Sequence, residues 1–218
     1  MQVLGKIEVQ LLADAYRTKS TKALWEWLCA VQTARWRGGR VENPSDLLKR
    51  RRMVRMEHGI WYVVGRRVLT LRGGIKSRQC AILEAEYLKD LKSFKAFCVS
   101  AYLAYKQGVR KAAIRKAKKK GFDGPVGTNL GQVELASQLG VDQSTISRHL
   151  KVAVEKEMVR REIVPSPEFK LQRKDLKLFL QAHPEHRGKM IFVGGYYYVR
   201  YKDVIYPHIY TSLRRFRA

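Results

Sequence analysis

The chain has 218 residues, with 44 Lys and Arg against 19 Asp and Glu and a formal net charge of +25. A charge of this size favours an acidic partner, and nucleic acid is the first expectation. Hydrophobic residues make up 45% of the chain and aromatic residues 10%, which excludes a disordered basic tail, because such tails contain too few apolar residues to form a core. The length suits one large domain or two small ones.

Cysteine usage and hydropathy favour a soluble intracellular protein. The three cysteines are far apart in the sequence and predict neither a disulfide framework nor a cysteine zinc site. The N-terminal residues include Glu8 and Asp14 and lack the pattern of a signal peptide. The most apolar stretch, Ala96 to Tyr105, is about half as long as the ~20 residues of a membrane-spanning helix. A cytoplasmic, nucleoid-associated location is therefore expected.

The N-terminal part of the chain predicts helices. Apolar residues recur at three- and four-residue spacing over 4–16 and again over 24–31, which predicts two amphipathic helices, the second with a cap at Ser20 or Thr21. A short third helix is predicted after the turn residues Asn43 and Pro44.

Three short stretches that follow are rich in β-branched, aromatic and other apolar side chains. They are Met53 to Met56, Ile60 to Val64 and Val68 to Leu71. Glycines lie between and after them, so this spacing predicts a small antiparallel β-meander.

A long helix is predicted in the middle of the chain. Apolar residues return to helical spacing at Ile82 and cover nearly all sides between Ala96 and Tyr105, so we expect this helix to pack against the N-terminal region or a second subunit. The run from Val109 to Lys120 keeps a helical composition but contains only basic charges. Contact with phosphates is favoured there over a solvated helix face or a flexible arm. A loop follows at Gly121 to Gly127.

The segment from Gln132 to Leu150 is the most informative part of the sequence. A short helix with one apolar face is followed by Gly140, which supplies the left-handed backbone that a tight turn between two helices requires. Asp142 can cap a second helix, whose Ile146 and Leu150 point inward. Its opposite face carries side chains suited to hydrogen bonding with base edges: Gln143, Ser144, Ser147, Arg148 and Lys151.

This segment resembles the helix-turn-helix of bacterial winged-helix transcription regulators, and residues 144–150 are similar to their recognition-helix pattern. The resemblance covers Gln132 to Val164, with Glu157 where the family has a glycine before the first strand of the wing. It implies that the helix from Asp142 to Glu155 enters the major groove of duplex DNA, with Ser147 and Arg148 as base readers. An ordinary pair of core helices also uses Ala and Gly at a close crossing, but the exposed polar face favours DNA.

The expected DNA-binding residues lie on this helix, on the wing strand and on the basic run before them. They are Gln143, Ser144, Thr145, Ser147, Arg148, Lys151, Arg160, Arg161, Arg110, Lys111, Arg115, Lys116, Lys118, Lys119 and Lys120.

The C-terminal residues predict an extended wing interrupted by a helix. In chain order the predicted elements are a strand at 159–164, a loop at 165–167, a helix at 171–182, a hairpin at 190–201 and a short strand at 204–206.

The sequence offers little for enzyme chemistry. It contains no phosphate-binding loop ending in Gly-Lys-Ser or Gly-Lys-Thr and no Gly-x-Ser-x-Gly elbow. His183 and His186 are three residues apart across a proline with no cysteine nearby, so a surface loop is favoured over a zinc site. We expect no catalytic activity, no cofactor and no metal.

The expected fold is mainly α with small antiparallel β-hairpins, an α+β protein. A helical and β-meander region at 1–79 precedes a winged helix-turn-helix region at 80–218 with a long basic helix and an extended wing. The expected function is sequence-specific binding of duplex DNA by a transcription regulator, with a homodimer suited to a palindromic site.

The net positive charge of the chain also suits other functions. A phage or plasmid replication initiator or accessory protein could contain the same module. An RNA-binding or single-strand-binding protein would instead stack bases on Trp61, Tyr62 and the tyrosines 196–198, although these side chains also suit packing on a half-buried sheet. For a nuclease or recombinase, no residue spacing singles out a nucleophile.

Overall fold

The computed structural model describes residues 2–74, 79–119, 130–209 and 211–213 and shows an α+β protein with small antiparallel sheets. The chain divides into two compact units, residues 1–159 with 207–218 and residues 160–206. In the part of the chain that is described, no helix has the length and apolar character needed to cross a membrane.

The first unit begins with strand β1 (Val3–Glu8) and helix α1 (Val9–Arg17). The prediction of one helix over 4–16 is therefore wrong in its first half. Ile7 is buried in β1, which pairs antiparallel with β5 (Gln79–Glu84), where Lys6 lies opposite Ile82. A partner strand so distant in sequence leaves no local signal, and the spacing of Leu4 and Ile7 fits either structure.

Helix α2 (Thr21–Ala34) follows, with Ser20 at its N-cap position although the Ser20 side chain makes no capping hydrogen bond. A 3-10 turn at Arg35–Arg37 ends at Gly38 and leads into the short strand β2 (Arg40–Val41). The predicted third helix is present as α3 (Asp46–Arg50). It is capped by Ser45, whose Oγ accepts a hydrogen bond from the Leu48 N–H at 3.3 Å.

The predicted hairpin is confirmed by β3 (Val54–Glu57) and β4 (Ile60–Val63), but the predicted third strand is wrong. Residues 66–72 form helix α4 (Arg66–Arg72), which buries Leu69 and leaves Leu71 exposed. The free edge of β4 is taken by β2 instead, so the sheet order is β2-β4-β3.

Strand β5 and a 3-10 turn at Ala85–Leu88 occupy the beginning of the predicted long helix. This prediction is wrong because β5 is the central strand of a sheet with order β1-β5-β9, where β9 is Thr211–Leu213. Residues on both faces of β5 are buried, so the strand lacks the alternation that identifies half-buried strands in a sequence. The division predicted between residues 79 and 80 falls inside β5.

Helix α5 (Leu91–Lys119) is the core of the first unit. Residues on all of its sides are buried between Phe94 and Ala104, and it packs against α1, α2 and α7 (Gln143–Glu155). Its predicted packing against the N-terminal region is confirmed. This packing covers the apolar surface of Ala96 to Tyr105 without a second subunit.

The second unit contains a sheet with the order β6-β8-β7, formed by β6 (Val159–Leu171), β7 (Met190–Val193) and β8 (Tyr196–Pro207). The hairpin of β7 and β8 is confirmed, and the strand predicted at 204–206 is part of β8. The predicted loop at 165–167 is wrong, because β6 continues through both prolines as an edge strand, where proline is tolerated. The inserted helix, α8 (Leu176–Ala182), begins later than predicted.

Candidate nucleic-acid interface

Two helices of the first unit are joined by a tight turn. Helix α6 (Gln132–Leu139) ends at Gly140, which has φ 64° and ψ 40°, and α7 begins three residues later. The Val141 N–H donates to the Ala136 carbonyl at 3.1 Å and closes the turn. Asp142 occupies the N-cap position as predicted, but its side chain makes no capping hydrogen bond.

Helix α7 has a buried face and a polar face. Ile146, Leu150 and Ala153 are at most 4% exposed and pack toward α5 and α6. Thr145 is half-buried, and its Oγ1 accepts a hydrogen bond from Nη2 of Arg148 at 3.2 Å. The exposed members of the predicted site on this helix are Gln143, Ser144, Ser147, Arg148 and Lys151.

The end of α7 has a left-handed residue, Glu157, with φ 55°. The Met158 N–H donates to the Ala153 carbonyl at 2.8 Å, and this closes the last turn of the helix. Glycine adopts this conformation without strain, so Glu157 occupies a backbone position that favours glycine.

His149 connects α7 with α1. Its Nδ1 contacts the hydroxyl of Tyr16. The Tyr16 side chain is buried, and that of His149 is half-buried. Burial, together with the nearby positive charges of Lys95 and Arg148, lowers the pKa of His149 to about 4. Burial also raises the pKa of Tyr16. Both groups are therefore neutral at pH 7, and a neutral pair can be buried at low cost.

The basic run after Val109 is the C-terminal part of α5, in which Lys111, Arg115, Lys116 and Lys119 are exposed. Lys120 and the side chain of Lys118 lie outside the described residues. Arg110 differs from the others because its guanidinium pairs with Glu134 on α6.

This ion pair belongs to a polar network between α5 and α6. The Gln138 amide donates to Glu134 at 3.0 Å, and the Tyr102 hydroxyl donates to Gln138 at 3.1 Å. Through this network, the positive charge of Arg110 contributes to the packing of α5 against α6.

In the second unit, the predicted residues Arg160 and Arg161 are exposed near the start of β6. The tyrosines 196–198 on β8 are half-buried. The Tyr197 ring lies 4.9 Å from that of Phe192, and Nζ of Lys170 is 4.0 Å from the centre of the Tyr196 ring. These contacts are typical of packing on a sheet surface.

The sheet of β2, β4 and β3 carries a second surface with aromatic and basic side chains. Tyr62 lies directly opposite Arg40 on β2 and Arg55 on β3, so these three side chains form one row on one face. Tyr62 and Arg40 also line an open cavity of about 790 Å³ together with Arg37. Trp61 belongs to the other face, where Nζ of Lys49 lies 5.5 Å from its ring centre.

Sequence reasoning missed Arg37 and Arg40, because only the strand register places them beside Tyr62. It also missed Trp36, which is 88% exposed. The Arg35 guanidinium lies over the Trp36 ring, with Cζ 5.7 Å from the ring centre.

No protein-family model, curated protein or solved structure matches this chain. The proposed function therefore depends on the chemistry and geometry of the residues described above.

Proposed function

We propose that the protein binds duplex DNA sequence-specifically, with α7 in the major groove as the recognition helix of a winged helix-turn-helix. The observation that carries this proposal is the outward face of α7. It combines hydrogen-bonding side chains with two positive charges and contains no acidic residue from Gln143 to Lys151. Its opposite face is anchored to α5 and α6, so residues 143–151 present their polar face to solvent.

The residues on this face have different roles. Arg148 can pair with both acceptors of a guanine, and its hydrogen bond to Thr145 restricts the guanidinium before binding. Ser147 lies beside it and can contact either a donor or an acceptor. Lys151 and the exposed cations of α5 supply phosphate contacts, as Arg160 and Arg161 would in a wing.

A transcription regulator is the simplest role, and a replication initiator or accessory protein of a phage or plasmid is the alternative. The preferred sequence distinguishes them. Selection of bound fragments from a random duplex pool should recover a palindrome for a homodimeric regulator and a series of repeats for an initiator.

The decisive experiment compares the affinity for the selected duplex with that for random duplex. Arg148→Ala should cost about 1 to 3 kcal/mol on the selected duplex and much less on random duplex, because base contacts are lost while phosphate attraction remains. Arg67→Ala, which removes an exposed arginine on α4, is the matched control and should leave the ratio unchanged. An unchanged ratio in Arg148→Ala would exclude Arg148 as a base reader and contradict the proposed orientation of α7.

A second candidate is binding of single-stranded nucleic acid, which the row of Arg40, Tyr62 and Arg55 favours. An aromatic ring between two guanidinium groups can stack a base and hold the neighbouring phosphates. Competition among duplex DNA, single-stranded DNA and RNA separates the two functions. Tyr62→Ala should weaken only single-strand binding, whereas Arg148→Ala should weaken only duplex recognition.

A further inference from the structure

A cluster of three metal-ligating side chains lies in the second unit, between α8 and β7. His183, Glu185 and His186 each offer one ligand atom, and these atoms all lie within 4.8 Å of one another. Nδ1 of His183 is 3.4 Å from Oε1 of Glu185, and Nε2 of His186 is 3.6 Å from the same oxygen. One carboxylate oxygen is thus shared by two imidazoles.

Local backbone geometry creates this cluster. Residues 184–186 form a 3-10 turn with Pro184 at its first position, and His183 is the residue that precedes this turn. The His183 N–H donates to the Phe179 carbonyl at 2.8 Å, and the His186 N–H donates to the His183 carbonyl at 3.1 Å. The spacing that argued against a zinc site in the sequence therefore brings the two histidines together.

Aromatic packing holds both imidazoles in place. The ring of Phe179 stacks on His186 at 5.8 Å between centroids and lies 4.8 Å from His183, while Phe169 is 5.7 Å from His186. Nδ1 of His186 is buried and has no hydrogen-bond partner among the described residues. An ion from solvent can therefore reach this ring only through Nε2, the nitrogen that faces Glu185.

The two separations that Glu185 makes suit a small divalent cation. Ligands about 2.0–2.1 Å from a tetrahedral zinc ion are about 3.3–3.5 Å from one another, close to the two separations that Glu185 makes. Two histidines and one glutamate are also a ligand set that zinc uses with a water molecule in the fourth position. We propose that His183, Glu185 and His186 bind one Zn²⁺ ion at the exposed turn between α8 and β7.

The chemistry of the three side chains favours this assignment, because imidazole nitrogens and carboxylate oxygens are ligands that zinc binds. Zinc between the two histidines would tie the end of α8 to the residues that enter β7.

Calorimetric titration of ZnCl₂ into the full-length, chelator-treated protein at pH 7.5 tests the site. We expect one zinc ion per chain, and Glu185→Gln and His183→Gln should each weaken binding at least about tenfold. The side chains of His183 and Glu185 are 45% and 57% exposed, so these variants should fold. His208→Gln removes an exposed histidine of the first unit and should bind zinc like the wild type.

Thermal unfolding provides a second measurement. Zinc should raise the melting temperature of the wild type by ~2 °C or more and should leave that of His183→Gln unchanged, because only a ligand that binds the folded state stabilises it. Absence of binding by the wild type, or equal binding by the wild type, Glu185→Gln and His183→Gln, would overturn the proposal.

Discussion

The hydroxyl of Tyr16 on α1 contacts Nδ1 of His149 on α7, although the two residues are 133 positions apart. Their rings meet edge to face, with centroids 5.7 Å apart and planes at 86°. The residue after Arg148 is thus fixed to the N-terminal part of the chain. The orientation of the proposed recognition helix depends on α1 as well as on its own helix pair.

His149 should make folding stability depend on pH. Its pKa is about 4 in the folded protein and ~6.5 in an unfolded chain, so the neutral form is favoured by folding. The stability that it contributes is complete above pH ~6.5 and is lost as the pH falls from there toward 4. In His149→Gln, the loss of folding stability between pH ~6.5 and 4 should be smaller by about 1 to 2 kcal/mol. This value allows for solvent screening, because the His149 ring is partly exposed.

Urea unfolding at several pH values between 7 and 4 measures this effect. Tyr16→Phe is the matched variant, because it removes the hydroxyl but leaves the imidazole buried, and burial is the largest cause of the lowered pKa. It should be less stable at every pH, with a pH dependence like that of the wild type. The same slope in His149→Gln and the wild type would contradict the prediction.

Two left-handed residues flank α7 and should respond oppositely to substitution. Gly140→Ala should destabilise the protein by about 1 to 2 kcal/mol, because a side chain is strained at φ 64° even though open space surrounds the position. Glu157→Gly should stabilise it by about 1 kcal/mol, because glycine adopts φ 55° without this strain. Urea unfolding measures both, and Gly140→Asn, which tolerates this conformation better than Ala, is the control.

Salt should strongly weaken DNA binding. If six to ten phosphates are contacted, affinity should fall by about three to five decades between ~50 and ~200 mM salt. Replacement of Lys116, Lys118 and Lys119 by Ala should weaken binding to selected and random duplex alike, and it should lower the salt slope by up to about one unit per lost contact. Titrations across a salt series measure the slope. A slope near zero in the wild type would contradict the nucleic-acid proposal.

The ion pair of Arg110 and Glu134 should matter more for binding than for stability. Both side chains are about one-third exposed, 34% and 37%, so Glu134→Gln should cost less than about 1 kcal/mol in urea unfolding. The same variant removes a negative charge near the basic end of α5. Affinity for random duplex should therefore rise about two- to threefold at low salt, and a fall in affinity would show that the pair positions the interface.

Local sequence signals predicted the elements that carry the proposed interface. The glycine at 140, the apolar spacing on both sides of it and the polar outer face of α7 are sufficient to predict two helices joined by a tight turn, since each signal acts within a few residues. The hairpins β3–β4 and β7–β8 and the short helix capped by Ser45 were predictable for the same reason.

The other elements depend on pairing between strands that are distant in the sequence. The partner strand stabilises each of them, and local residue spacing cannot identify that partner. Residues 3–8 and 79–84 become strands by pairing with each other, and Arg66–Arg72 becomes a helix while β2 occupies the free edge of β4. Strand register places Arg40 and Arg55 beside Tyr62, and a 3-10 turn places His183 beside His186. The sequence by itself determined which side chains α7 presents to solvent, whereas only the tertiary structure decided that Tyr16 fixes that helix and that Arg110 is paired within the fold.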